Sequence, residues 1–124
     1  MAASTILIVD DDAVTRQALT AVLGIRGYAT MAVADGAQAL AYLDESGASV
    51  SLVVLDLQMP VLDGFGFLAA QRRNPELMGI PVVIYSGDGD DGDVPAGIPH
   101  LRKGTSRPAE LLAAIDRVYR SARS

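Results

Sequence analysis

The sequence predicts an α/β fold, a doubly wound parallel sheet with helices on both faces, and three observations carry that prediction. Short apolar, β-branched runs alternate with stretches of helical periodicity through most of the 124 residues. Several of those runs are continuously apolar, as in strands buried on both faces. Strand-to-helix alternation implies βαβ units, whose crossovers are right-handed.

Thr5 to Val9 is the first such run, ended by Asp10-Asp11-Asp12. Val14, Ala18, Leu19, Val22 and Leu23 then recur at helical spacing, with Arg16, Gln17 and Thr20 between them, and Gly24 and Gly27 mark the end of that helix. Tyr28 to Val33 reads as a second strand. Ala37, Leu40, Ala41 and Leu43 outline a second helix that closes near Gly47. Ser51 to Leu55 is a third, buried strand ending at Asp56. Gly64 to Arg73 suits a third helix, stopped by Asn74-Pro75. Ile80 to Tyr85 is a fourth strand ending at Ser86, and Ile98 to Arg102 a shorter fifth. The last helix begins near Ser106, carries Pro108 in its first turn, and sets Leu111, Leu112, Ile115, Val118 and Tyr119 on one face, with Arg120 to Ser124 expected to fray.

Composition narrows the function. The length fits one domain, 1–124 with a core of about 4–122, and half the residues are apolar. There is no cysteine, so disulfides and thiolate metal sites are excluded, which suits a reducing compartment and a cytoplasmic location. Met1-Ala2-Ala3-Ser4 has neither the basic nor the apolar region of a signal peptide, and no apolar run is long enough for a membrane span. A net charge of −5 offers no basic footprint for nucleic acid, so no direct nucleic acid binding and no membrane contact are expected.

In open α/β sheets ligands bind beyond the carboxyl ends of the strands. Here those ends carry Asp10 and Asp11 after strand one, Asp56 after strand three, Ser86 after strand four and Lys103 after strand five. Singly, each has a plainer explanation as a helix cap, a turn residue or a solvated charge. Together they complement one another. If strands one and three are neighbours, three carboxylates share a crevice, and two unit charges about 4 Å apart repel by roughly 4 kcal/mol at an effective dielectric of 20. A hard divalent cation relieves this, since Mg²⁺ takes a few carboxylates and phosphate oxygens together. Such a site holds a phosphoryl group between metal and Lys103, with a carboxylate as nucleophile forming an aspartyl phosphate. Usage singles out Lys103: nine of the ten basic residues are Arg, and the one Lys, a compact point charge, falls at this position.

Four segments, in order, carry a family resemblance: Ile6-Leu7-Ile8-Val9-Asp10-Asp11-Asp12; Val53-Val54-Leu55-Asp56-Leu57-Gln58-Met59-Pro60 with Asp63-Gly64; Val83-Ile84-Tyr85-Ser86-Gly87; and Leu101-Arg102-Lys103. From about Ser4 to Ala122 the chain resembles the receiver domain of two-component response regulators, the chemotaxis receivers included. The resemblance implies a flavodoxin-like, five-stranded sheet in the order 2-1-3-4-5, which places strands one and three side by side. It implies that Asp56 is the phosphoacceptor. Mg²⁺ (or Mn²⁺) would be held by Asp11 and Asp56 directly, by Asp10 mainly through water, and by the backbone carbonyl of Gln58. Ser86 and Lys103 would contact the phosphoryl oxygens. It further implies a sensor histidine kinase or phosphotransfer protein as donor, a downstream protein or fused output domain as recipient of the signal, and no enzymatic role beyond assisting the domain's own phosphorylation and dephosphorylation.

Three departures stand out. The family's fourth helix has only Gly87 to Gly97 to occupy, a stretch with four glycines, one proline and no apolar period, so that helix is expected to be shortened or missing and the segment irregular and mobile. Its aspartates lack the order of a calcium-binding EF-hand loop, since Gly92 falls where a ligand should sit. Gly104 follows Lys103 where the family usually has proline, which implies a looser setting for Lys103. His100 stands where the family often has a switching Tyr or Phe; it is either a ring that turns inward as Ser86 moves, with pH sensing as the remoter corollary, or a partly exposed strand residue. Two other functions compete with the phosphoacceptor. A phosphorylation-independent pseudo-receiver would act as a protein-interaction module. An aspartyl-phosphate hydrolase needs a second acid where this chain has Gln58.

Overall fold

The computed structural model describes residues 5–87 and 94–123. Five strands, β1 (Thr5–Val9), β2 (Ala29–Val33), β3 (Val50–Leu55), β4 (Val82–Ser86) and β5 (His100–Arg102), alternate with helices α1 (Ala13–Ile25), α2 (Gly36–Ser46), α3 (Gly64–Arg72) and α4 (Pro108–Arg123). The strands form one parallel sheet in the order β2-β1-β3-β4-β5. Period two sorts the central strands into two cores. Leu7, Val9, Val53, Leu55 and Ile84 face α2 and α3, whereas Ile6, Ile8, Leu52, Val54 and Val83 face α1 and α4. Among the described residues no helix is long and apolar enough to cross a membrane.

Several boundaries differ from expectation for identifiable reasons. β4 begins at Val82 rather than Ile80, and β5 at His100 rather than Ile98, because Pro81 and Pro99 have no N–H to give a ladder. Each proline contributes only its carbonyl, Pro81 to the Val53 N–H and Pro99 to the Ile84 N–H. Tyr28 stays outside β2 because its N–H turns back to the Leu23 carbonyl, closing α1 beyond Gly27, whose φ of +90° suits glycine. In α1, Leu19 and Leu23 are buried but Val14 is 72% exposed. At 3.6 residues per turn Val14 lies about 140° around the helix from Leu19, so it was wrongly placed in the apolar stripe. The inward stripe of α2 is Gly36, Ala39, Leu40 and Leu43; Ala37 and Ala41 are exposed. α4 does not fray at Arg120 but continues to Arg123, through residues that include no Gly or Pro.

No helix lies between β4 and β5 among the described residues. Val94 and Ile98 pack instead against the α3-side core. Residues 88–93, the centre of the expected irregular loop, lie outside the described residues.

One strained turn supports the loop after β3. The Leu62 N–H donates to the Pro60 carbonyl at 2.8 Å, closing a three-residue turn in which the exposed Val61 has φ +69°. This hand of γ-turn is rare, and a β-branched residue at positive φ is strained. The turn in turn sets the Leu62 carbonyl to accept the Gly36 N–H at 2.9 Å, tying the loop to α2. Val61→Gly should relieve about 1–2 kcal/mol of strain against about 0.4–1 kcal/mol of added chain entropy, a net gain of about 0.5–1 kcal/mol. The check is a higher urea midpoint at unchanged slope; an unchanged midpoint would mean the turn is not strained.

Candidate functional site

Because β1 and β3 are neighbours with Val9 opposite Leu55, the residues after them emerge side by side. The Asp56 N–H donates to the Val9 carbonyl at 2.9 Å and the Asp10 N–H to the Val33 carbonyl at 3.1 Å, so both aspartates leave the sheet from fixed backbone. Asp10 and Asp56 are buried, whereas Asp11 is exposed. One carboxylate oxygen from each of Asp10, Asp11 and Asp56 lies within 4.8 Å of the others. That is a hard, all-oxygen donor set of the kind that suits Mg²⁺ or Mn²⁺.

Lys103 reaches into this cluster from beyond β5. Its Nζ is 2.7 Å from Asp10 Oδ2 and 3.6 Å from Asp56 Oδ2, and it lies 5.9 Å from the centre of the Tyr85 ring. Its backbone N–H donates to the Ser86 carbonyl at 2.8 Å, so Lys103 is anchored at both ends despite the glycine that follows. Burial works against its charge, but the hydrogen bond it donates to Asp10 and the negative charges of Asp10 and Asp56 prevail and hold the ammonium above its ordinary pKa. At Asp56 it is the charged form that is disfavoured. Burial, followed by the like charge of Asp10, pushes its carboxyl up to about 6, against the opposing pull of Lys103 and a 2.9 Å hydrogen bond that Asp56 Oδ1 accepts from the Leu57 N–H. Acidic repulsion on one side and a single ammonium on the other leave the cluster short of positive charge.

The remaining predicted residues fall around this centre. Ser86 ends β4, fully buried, and its Oγ lies 2.7 Å from His100 Nε2. His100 is a half-buried residue of β5, and the contact with Ser86 is the one its ring makes here. Gln58 sits two residues past Asp56 at the exposed rim.

Three contributors were not singled out from the sequence. Arg16, read only as part of the polar side of α1, donates from its guanidinium to the Asp10 carbonyl at 2.8 Å; its spacing carried no signal for this. Asp12 caps α1, accepting from the Val14 N–H and the Thr15 hydroxyl, which lower its carboxyl pKa. Gly64 packs flat against the phosphoacceptor candidate: a Cβ there would lie 2.4 Å from the Asp56 carbonyl oxygen and 2.8 Å from Leu57 Cα. The Asp63-Gly64 pair marked the spot, but not that reason for it.

Comparison with known proteins follows the same lines. The family model described as response regulator receiver domain matches residues 6–101. The DNA-binding response regulator MtrA of Mycobacterium leprae is 31% identical, over 90% of this chain and 57% of its own length. The probable transcriptional regulator ycf27 of Porphyridium aerugineum is 35% identical, over 93% of this chain and 48% of its own. The chain therefore spans about half the length of the curated relatives it matches. Among solved structures, the chemotaxis response regulator CheY4 of Vibrio cholerae superposes with a TM-score of 0.79 at 28% identity, covering 94% of this chain and 98% of that one. A response regulator receiver domain protein from Clostridium thermocellum gives a TM-score of 0.82 at 26% identity, covering 97% of both. The DNA-binding name of one relative leaves the expectation of no nucleic acid contact unsupported beyond the acidic charge of these 124 residues.

Proposed function

This chain belongs to the response regulator receiver domain family, and from that premise we propose that it accepts a phosphoryl group on Asp56 from a histidine kinase, a phosphotransfer protein or a small phosphodonor, and thereby switches its contacts with a downstream protein or output domain. The proposed setting is cytoplasmic, as is typical of the family. The observation that carries the proposal is the meeting of Asp10, Asp11 and Asp56 within 4.8 Å, with the Lys103 ammonium placed against two of them.

The donor set fits Mg²⁺, which Asp11 and Asp56 would hold directly, Asp10 mainly through water, and the Gln58 carbonyl from the rim. When bound it would neutralise charge on the carboxylates and on the phosphoryl oxygens. The chain's own residues do the rest. The Leu57 N–H fixes one oxygen of Asp56. A carboxylate oxygen of Asp56 attacks phosphorus as the P–N bond of a phosphohistidine, or the P–O bond of acetyl phosphate, breaks, and the leaving imidazole or acetate keeps the bonding pair. Lys103 and Ser86 receive the phosphoryl oxygens. A hydrolase role is disfavoured by Gln58, which cannot serve as the second acid. The pseudo-receiver alternative is favoured only by the Gly- and Asp-rich sequence of Gly87 to Gly97, which lacks the apolar period of the family's fourth helix.

Acetyl phosphate with Mg²⁺ should add one phosphoryl group to the intact protein, and either a chelator or Asp11→Ala should reduce that addition strongly. A protein that gains no mass under these conditions, yet melts as a folded domain, would instead be a pseudo-receiver.

A further inference from the structure

At the end of the sheet opposite Asp56 lies a groove of about 680 Å³, bounded by α3, the entries to β4 and β5, and the second half of α4. Its lining is mostly apolar: Ile80, Ile98 and Val118 are half-buried, and Met78 is 61% exposed. Arg72 of α3 and Arg117 of α4 line it as well, both exposed. Among the described residues neither arginine makes an ion pair, and no carboxylate lines the groove. In a chain of net charge −5 the groove is therefore a local surplus of positive charge. A buried amide supplies a second, independent observation. Gln71, 5% exposed in the last turn of α3, also lines the groove. Its Nε2 donates to the Leu77 carbonyl at 3.0 Å and to the Ile80 carbonyl at 2.8 Å, which uses both of its hydrogens. Those two carbonyls also fix which way the amide faces, since a flipped group would set oxygen against oxygen. Oε1 is left as an acceptor with no partner among the described residues. A buried acceptor is costly to leave without a donor.

We infer that this groove docks an acidic, amphipathic segment of a partner protein. Apolar side chains of the segment cover Met78, Ile98 and Val118, its carboxylates pair with Arg72 and Arg117, and one of its N–H groups donates to Gln71 Oε1. Charge complementarity selects the acid, because a basic segment would meet two guanidiniums and no carboxylate. Arginine and methionine are among the residue types enriched in protein interfaces, and an arginine fork pairs a carboxylate with two parallel hydrogen bonds. Every peptide unit except proline's carries an N–H, so a bound main chain supplies the donor that Gln71 lacks. The groove meets β4 and β5 where they begin, at Pro81, Val82 and Pro99, whereas the acidic cluster lies beyond the strands' carboxyl ends. Docking here is thus separate from the phosphoryl chemistry proposed for Asp56, and either can fail without the other.

The methionines supply the readout. Met1, Met31, Met59 and Met78 are the only four, so methyl-labelled methionine gives four NMR signals, of which Met78 alone reports on the groove. The probes are synthetic copies of peptides selected from a short random-sequence library displayed on phage, with the full chain as bait. The selected peptides should combine Asp or Glu with apolar residues, and should shift the Met78 methyl while leaving Met31 and Met59 in place. Arg72→Glu combined with Arg117→Glu should weaken their binding by about tenfold or more. Affinity for the wild-type chain should itself fall as salt is added, so the test survives a variant that folds poorly. A selection that enriches nothing, or enriches peptides without acidic residues, would overturn the inference. So would shifts at Met31 or Met59 with Met78 unmoved, or an affinity indifferent to salt and to the arginines. A Met78 shift on diluting the protein alone would assign the groove to a second copy of this chain, and would overturn it too.

Discussion

Asp56→Asn is expected to stabilise the metal-free protein by up to about 3 kcal/mol at pH 8, while abolishing its capacity to accept phosphate. The gain follows from the charge balance of the site. Asp56 is 5% exposed and faces Asp10, so its ionised form is held at a cost and its carboxyl titrates near 6, above the ordinary 3.8. Asparagine keeps the shape and can still accept the Leu57 N–H, and Lys103 keeps Asp10 as its nearer partner. The sign with pH is definite. A carboxyl whose folded pKa is raised contributes stability that is fully present below its unfolded pKa and is lost as pH rises through the folded value. Wild-type stability should therefore fall between about pH 4 and about pH 6, and the variant should lack that decline. Denaturant unfolding with a chelator present, at pH 4 and at pH 8, measures it. Equal stabilities at both pH values would show that Asp56 is not charge-strained.

Gly64→Ala should act in the opposite direction and by a similar amount, a loss of about 3 kcal/mol. The atoms a Cβ would strike are the carbonyl oxygen of Asp56, at 2.4 Å, and Leu57 Cα, at 2.8 Å. Both belong to backbone that cannot swing aside, and Gly64 is further tied there by its N–H to the Leu57 carbonyl at 2.9 Å. Relief requires moving either the start of α3 or the segment that carries Asp56, so phosphoryl acceptance should fall with stability. Gly24→Ala provides the contrast. It lies within α1 with nothing within 4 Å of its would-be Cβ, and replacing a helix glycine there should gain up to about 1 kcal/mol. If the two substitutions had similar effects on the urea midpoint, close packing at Gly64 would not be the reason for its glycine.

The sequence revealed most where chemistry and periodicity agreed. Continuous apolar runs located β1, β3 and β4, shorter mixed stretches located β2 and β5, and the polar residues at the strand ends located Asp10, Asp56, Ser86 and Lys103, because an α/β sheet gathers its strand ends. Helix faces were read less well. Alanines at 18, 37 and 41 carry too little apolar surface to compel burial, and Val14 shows that one branched residue near a helix start does not define the stripe. What the sequence hid was contact between distant residues. Nothing in the spacing of Arg16 pointed to the Asp10 carbonyl, and nothing in Arg26 and Tyr28 announced that both would meet Asp116 of α4, with the Tyr28 hydroxyl donating at 2.5 Å. That bond, behind burial as the larger cause, pushes the Tyr28 phenol up to about 12. The strain at Val61 was equally invisible, since the positive φ that a β-branched residue resists is set by the turn that ties the loop to Gly36.

The central claim is that Asp56 is the phosphoacceptor, and peptide mapping tests it most directly. Protein treated with acetyl phosphate and Mg²⁺, then reduced with borohydride to fix the acyl phosphate as an alcohol, is digested and sequenced by mass spectrometry. The predicted result is reduction at position 56 alone, dependent on Mg²⁺ and absent from Asp56→Asn. Reduction at Asp10, Asp11 or another carboxylate with Asp56 intact, or full phosphorylation of Asp56→Asn, would contradict the account.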